Sequence, residues 1–111
     1  MLHNLNLQDK YFDFIKNGTK RIELRLYDEK RQKIGLGDKI EFANQQGETL
    51  QARVIGLLRY ETFAQLFEDF DIAQLADESM TKAELMAALE EFYAPEKQAQ
   101  YGVVGIRLEL I

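Results

Sequence analysis

The sequence predicts an α+β fold, a small antiparallel β-barrel with about three helices packed at one side. Three observations predict it. Stretches in which apolar residues alternate with polar or charged ones recur along the chain, the period of strands with one buried face. Two segments that begin with helix-capping signals lie together between residues 62 and 93, among strands. A chain of 111 residues, 46% of them hydrophobic, is enough for one core, so a single domain over residues 1–111 is expected.

The elements follow in order. His3 to Leu7 alternates and reads as a short strand. Gln8 to Asn17 reads as a helix, with Leu7, Tyr11, Phe14 and Ile15 on one face and Gly18 as its left-handed stop. Lys20 to Tyr27 reads as a strand. Asp28 to Gly35 is a charged loop, and Leu36-Gly37-Asp38 turns the chain into a strand at Lys39 to Ala43. Asn44-Gln45-Gln46-Gly47 is a hairpin turn. Thr49 to Tyr60 is a long strand in which Gly56 marks a bulge or bend.

Thr62-Phe63-Ala64-Gln65 and Thr81-Lys82-Ala83-Glu84 both carry the capping-box pattern. The second opens a helix to about Tyr93, with Met80 and Leu85 placed as a hydrophobic staple and Pro95 beyond the end. Gly102 to Ile111 is the last strand. Val104, Ile106, Leu108 and Leu110 share one face of it and demand burial within a closed or nearly closed barrel.

Charge divides the chain. Residues 16 to 39 hold eight basic and four acidic side chains, a net of +4. Residues 60 to 96 hold ten acids against Lys82 alone, a net of −9. The overall formal charge of −5 argues against avid binding along a long phosphate backbone. It leaves room for a local cationic pocket that holds one nucleotide or a short single strand.

The absence of cysteine excludes disulfide and thiolate chemistry and suits a reducing compartment. The first residues, Met1 to Leu7, lack the basic head and apolar run of a signal peptide. A cytoplasmic monomer that does not associate with membranes is expected. No cofactor is implied. His3 is the one histidine, and no His, Cys or Asp cluster has metal-ligand spacing, so no metal site is expected.

The segment Gly18-Thr19-Lys20-Arg21-Ile22-Glu23-Leu24-Arg25-Leu26 carries the chemistry. Ile22, Leu24 and Leu26 alternate with Arg21, Glu23 and Arg25, with Lys20 at the strand mouth. Two readings follow: a solvated strand face, or the floor of a site that grips an anionic or polar ligand. In the second, Lys20, Arg25 and at least one of Lys16, Arg21 or Lys33 bound one concave surface. Tyr93 and Tyr101 flank a polar connection and are placed to stack on a base. Asp28-Glu29-Lys30-Arg31 closes one rim.

Residues Ile15 to Leu26, then Asp28-Glu29-Lys30-Arg31, then Gly37-Asp38-Lys39-Ile40-Glu41-Phe42 resemble the ASCH family. The resemblance implies a PUA-like β-barrel with a cleft between barrel and helices, and it implies binding of RNA or a modified nucleoside. The chain also resembles, more distantly, a bacterial branch that hydrolyses N4-acetylcytidine to cytidine and acetate. That branch carries Gly-x-Lys-Thr-x-Thr-x-Arg and a later Glu-Asn-Met-Thr. Gly18, Lys20 and Arg25 match the first motif, and Glu78-Ser79-Met80-Thr81 resembles the second. Glu23 stands where the branch has threonine.

On this resemblance the candidate catalytic residues are Lys20, Glu23 and Glu78, and the candidate ligand-binding residues are Lys16, Arg21, Arg25 and Tyr101. In an amidohydrolase Glu23 would activate a water, Lys20 would neutralise the oxyanion, and Glu78 would carry the second proton. A small ribonuclease acting at a 2′-hydroxyl is a further alternative. In the bland reading, Lys20 and Glu23 merely pair at the strand end and Glu78 caps or solvates its loop.

Overall fold

The computed structural model describes residues 1–111. Five strands form one sheet, curled into a half-barrel: β1 (Leu2–Asn6), β2 (Ile22–Leu26), β3 (Lys39–Ala43), β4 (Thr49–Tyr60) and β5 (Val103–Leu110). The helices are α1 (Asp9–Lys16), α2 (Phe63–Asp69), α3 (Ile72–Leu75), α4 (Lys82–Phe92) and α5 (Pro95–Tyr101), with one 3₁₀ turn at Arg31–Lys33. No helix is long and apolar enough to cross a membrane.

The strand order is β1-β3-β4-β5-β2. Four strands pair antiparallel, but β1 runs parallel to β3, with Leu2 opposite Lys39 and Asn6 opposite Ala43. The sheet is therefore mixed rather than purely antiparallel. A parallel neighbour needs a crossover, and α1 with β2 and the following loop supplies it. A bulge between Val54 and Gly56 bends β4, which lets one strand pair with β3 along its first half and with β5 along its second.

Five helices replace the expected three. The short α3 lacks an amphipathic signature. Pro95 reads as a terminator of α4, yet it begins α5. Proline fits a first helical position, where its missing N–H has no partner to lose. Thr81 makes the full capping box with Glu84, and Met80 and Leu85 are both buried in one cluster. At α2, Thr62 accepts from the Gln65 amide, while Gln65 reaches back to the amide of Glu61.

Two hydrophobic clusters share the sheet. Phe12, Ile40, Phe42, Val104 and Ile106 fill the barrel interior. Ile22, Leu24, Leu26, Phe63, Leu66 and Val103 fill the layer between sheet and helices. β5 lies between β4 and β2; Val103 to Ile106 are buried on both faces and Leu108 is buried as expected, but Leu110, expected inside with them, is 45% exposed because the strand end runs past its cover. Gly105 is the point of closest approach. A Cβ there would lie 2.9 Å from Ile22 Cγ2 and 3.1 Å from Leu66 Cδ1, so only glycine lets α2 sit down on the strand.

Candidate functional site

Every residue of β2 is buried. Glu23 pairs with Ile106 and Arg25 with Val104 across the ladder, so the charged side chains share the barrel face of the sheet with those core residues. The expected alternation is present, but its charged face is not solvated. Lys20 is 4% exposed, Glu23 5% and Arg25 9%.

Burial forces these groups to satisfy one another. Glu23 Oε2 accepts from Arg25 Nε at 2.8 Å and lies 2.7 Å from Arg25 NH2, a two-pronged contact. Glu23 Oε1 is 3.4 Å from Lys20 Nζ. Lys20 Nζ also donates to the carbonyls of Ile22 and Leu75, each at 2.6 Å. An ammonium has three protons, and all three have acceptors. Arg25 NH2 also donates to the Asn6 carbonyl at 2.8 Å. Arg25 NH1 makes no close hydrogen bond within the protein, and the Tyr93 hydroxyl is the further acceptor within reach of the guanidinium.

The electrostatics follow from this packing. Burial pushes the Glu23 carboxyl up, but Arg25 and then Lys20 outweigh it and hold it below the usual glutamate value. Burial pulls the Lys20 amine down, opposed by Glu23 and aided by Arg25. The three oxygens around Nζ favour its charged form against that burial.

The cluster floors an open cleft. One wall comes from Asn6, Leu7, Gln8 and Tyr11, where β1 hands over to α1. The other comes from Leu85, Ala88, Leu89, Phe92 and Tyr93 of α4 and its end. The cleft thus lies over the gap between the two edge strands, β1 and β2. Phe92 is 60% exposed, a large aromatic left in water at the rim. Burial raises the Tyr93 hydroxyl, against a lowering pull from Arg25. Burial, with Glu23 and Glu91, likewise raises Tyr11.

Of the residues singled out in the sequence, Lys20, Glu23 and Arg25 come together here. The others do not join them. Lys16 is exposed and pairs with Glu48. The exposed Arg21 lines a separate groove with Ile55, Leu108 and Glu109. Exposed Lys33 is also outside the cleft lining. Tyr101 packs against the helix-side core, with Lys97 Nζ 6.0 Å from its ring centre. Glu78 is exposed and outside the cleft lining, in a turn where Asp77 accepts from the Ser79 amide.

Its loop is nonetheless tied to the Lys20 segment, because residues 19 to 21 bind three successive carbonyls. Thr19 Oγ1 donates to Ala76, Lys20 Nζ to Leu75, and the Arg21 amide to Gln74. Among the residues that complete the cleft, Tyr93 carried an aromatic signal in the sequence. Tyr11 read as an ordinary core-face residue, and Asn6, Gln8 and Phe92 carried no signal. No group of three His, Cys, Asp or Glu side chains is placed to hold a metal ion.

Known proteins bear on this geometry. The chain is similar over its full length to hypothetical protein PH0355, known from a crystal structure, with 37% identity, 100% of both chains covered and a TM-score of 0.89. It is also similar to protein PF0455 from Pyrococcus furiosus, known from a solution NMR structure. There the identity is 32%, with 100% of this chain and 98% of that one covered and a TM-score of 0.78. No curated protein matches. The model of the ASCH domain matches residues 5–111. The chain belongs to the ASCH domain family.

Proposed function

We propose that the cleft binds RNA or a modified nucleoside, and that the chain does so as a cytoplasmic monomer. The observation that carries this reading is the Arg25 guanidinium. It is buried, fixed by Glu23 and Asn6 with the Tyr93 hydroxyl close by, and leaves NH1 without a close hydrogen bond at the floor of a cleft with an apolar helical wall. A flat base fits such a place. Its faces meet Leu85, Ala88, Leu89 and Phe92, while an edge carbonyl or ring nitrogen accepts from NH1. Glu23 Oε1, which has only the 3.4 Å contact with Lys20, accepts from an exocyclic amine.

Hydrolysis is a weaker fit. An amidohydrolase asks Lys20 to stabilise an oxyanion, yet each of its protons already has an acceptor. It asks Glu23 to act as a base, yet two cations hold that carboxyl low. Ribonuclease action meets the same difficulty, and His3 is engaged elsewhere, 2.8 Å from Asp38.

Titration with short single-stranded RNA and with N4-acetylcytidine tests the reading. Arg25→Gln is expected to weaken binding by about 1–3 kcal/mol. Chromatography of the same mixtures with wild type decides the rest. Release of cytidine and acetate returns the amidohydrolase reading, fragmentation of the RNA returns the ribonuclease, and failure to bind either ligand rejects the proposal.

A further inference from the structure

The cleft meets β2 along its edge. Strand side chains alternate between two faces, yet Glu23, Leu24 and Arg25 all line the cleft. Three consecutive residues share one lining where a strand is seen edge-on. β2 is an edge strand, paired with β5 on one side alone. Across the cleft, Asn6, Leu7 and Gln8 are likewise consecutive, at the end of the other edge strand, β1.

The register says which peptide groups face that opening. The Leu108 amide donates to the Arg21 carbonyl at 2.8 Å, and the Tyr27 amide to the Gly102 carbonyl at 3.0 Å. Arg21 and Tyr27 therefore turn their peptide groups towards β5, and with a period of two so do Glu23 and Arg25. Ile22 and Leu24 turn theirs to the open edge. The Ile22 carbonyl agrees with this, because it accepts from Lys20 Nζ rather than from β5. On β1 the Lys39 amide donates to the Met1 carbonyl and the Leu7 amide to the Ala43 carbonyl, so Asn6, one step out of phase with both, faces the opening. Its carbonyl accepts from Arg25 NH2.

Leu24 alone of these is left incomplete within the cleft. By this register its N–H and C=O have no partner on β5, and no turn, loop or side chain reaches them, although the residue is only 4% exposed. A buried peptide without partners is rare, and it calls for water or a ligand to complete it. In extended backbone the N–H and C=O of one residue lie side by side and point the same way, the arrangement by which antiparallel strands exchange paired bonds. They match a ring that carries an acceptor next to a donor, which the Watson–Crick edge of each nucleobase offers.

We infer that the Leu24 peptide reads the base held in the cleft, so that the ligand is a nucleoside or an unpaired RNA nucleotide whose Watson–Crick edge is free. This rests on the base-binding reading given above. In uracil, N3–H donates to the Leu24 carbonyl and a flanking carbonyl accepts from the Leu24 amide. The second flanking carbonyl is left for Arg25 NH1. A base already paired in a duplex has no such edge to give. Recognition through the main chain leaves the Leu24 side chain to the helix-side core, where it packs.

The test is made on the wild-type protein by NMR, with uridine, cytidine, adenosine and guanosine. Each is set beside the derivative that loses the edge donor: 3-methyluridine, N4,N4-dimethylcytidine, N6,N6-dimethyladenosine and 1-methylguanosine. In the free protein the Leu24 amide should exchange with solvent faster than those of Glu23 and Arg25, which the ladder holds. A nucleoside that binds should close that gap. Its methylated derivative should bind about tenfold more weakly or worse and leave the gap open.

The absence of a gap in the free protein overturns the inference. So does a gap that persists once a nucleoside is bound, or a derivative that binds as tightly as its parent. In each of these cases, shifts of the Asn6, Tyr11 and Tyr93 amides on binding leave the base site standing. No response to any of these compounds overturns both.

Discussion

Lys20 Nζ lies 2.6 Å from the carbonyl oxygen of Leu75, fifty-five residues further along the chain. A lysine at the mouth of a strand reads from the sequence as a solvated charge or as a group that faces a ligand. Here it is the cap on the last carbonyl of α3 and the partner of Glu23, buried under both. That changes what its removal should do.

Lys20→Met should destabilise the protein by about 3 kcal/mol, because two backbone carbonyls and one carboxylate oxygen lose a buried donor. An urea midpoint within experimental error of wild type would contradict this. The same loss makes Lys20→Ala a poor probe of catalysis, since a fall in activity would follow from a loosened fold.

Arg25→Lys should cost about 2 kcal/mol. Lysine reaches one acceptor where the guanidinium holds Glu23 by two nitrogens and Asn6 as well. Hydrogen exchange at the end of β1 and the start of α1 should quicken more than exchange in β4. Uniform quickening across the sheet would show that the arginine acts on the whole fold rather than on this junction.

Gly105→Ala should destabilise by about 1–3 kcal/mol, because the new methyl meets Ile22 and Leu66 inside contact distance. Pairing it with Leu66→Ala should recover part of the loss if the clash is with α2. No recovery would place the strain at Ile22.

Stability should fall in acid through Asp38. The hydrogen bond from His3, then the one from the Gly35 amide, holds this carboxyl down at about 2 against an ordinary 3.8. Between those values the unfolded chain binds the proton and the folded one does not. The contribution is therefore present above about pH 4 and is lost as pH falls towards 2. Glu23, held low by Arg25 and Lys20 against its burial, acts with the same sign. Denaturation midpoints of wild type and Asp38→Asn across pH 2 to 5 should converge at the acid end. Parallel curves would rule out Asp38 as a source of the slope.

Much of this was legible in the residues. β3 and β4 begin and end where alternation and the Asn-Gln-Gln-Gly turn put them, and α1 and α4 lie where periodicity and capping put them, because all these signals are local. The partners of the charged residues were not legible. Alternation at 21 to 26 says that two faces differ, but it does not say that both are buried. That depends on β2 being covered by α3 and α5 on one side and lying beside the β1–α1 junction on the other. Lys16 and Arg21 are basic and close in sequence to Lys20, yet they fall outside the cleft, because proximity along a chain does not fix direction around a turn. The parallel pairing of β1 was hidden for the same reason, since its partner lies more than thirty residues away.

The edge strands β1 and β2 meet through the Arg25 side chain rather than through a backbone ladder. A wall closed by peptide hydrogen bonds parts only when a strand peels away. A wall closed by one guanidinium parts when a few single bonds rotate, and the strands on either side keep their own ladders while it does. The seam is thus the one line along which the two edge strands can separate without breaking a backbone ladder. It runs under the cleft, where a ligand has the most to gain from a wall that yields.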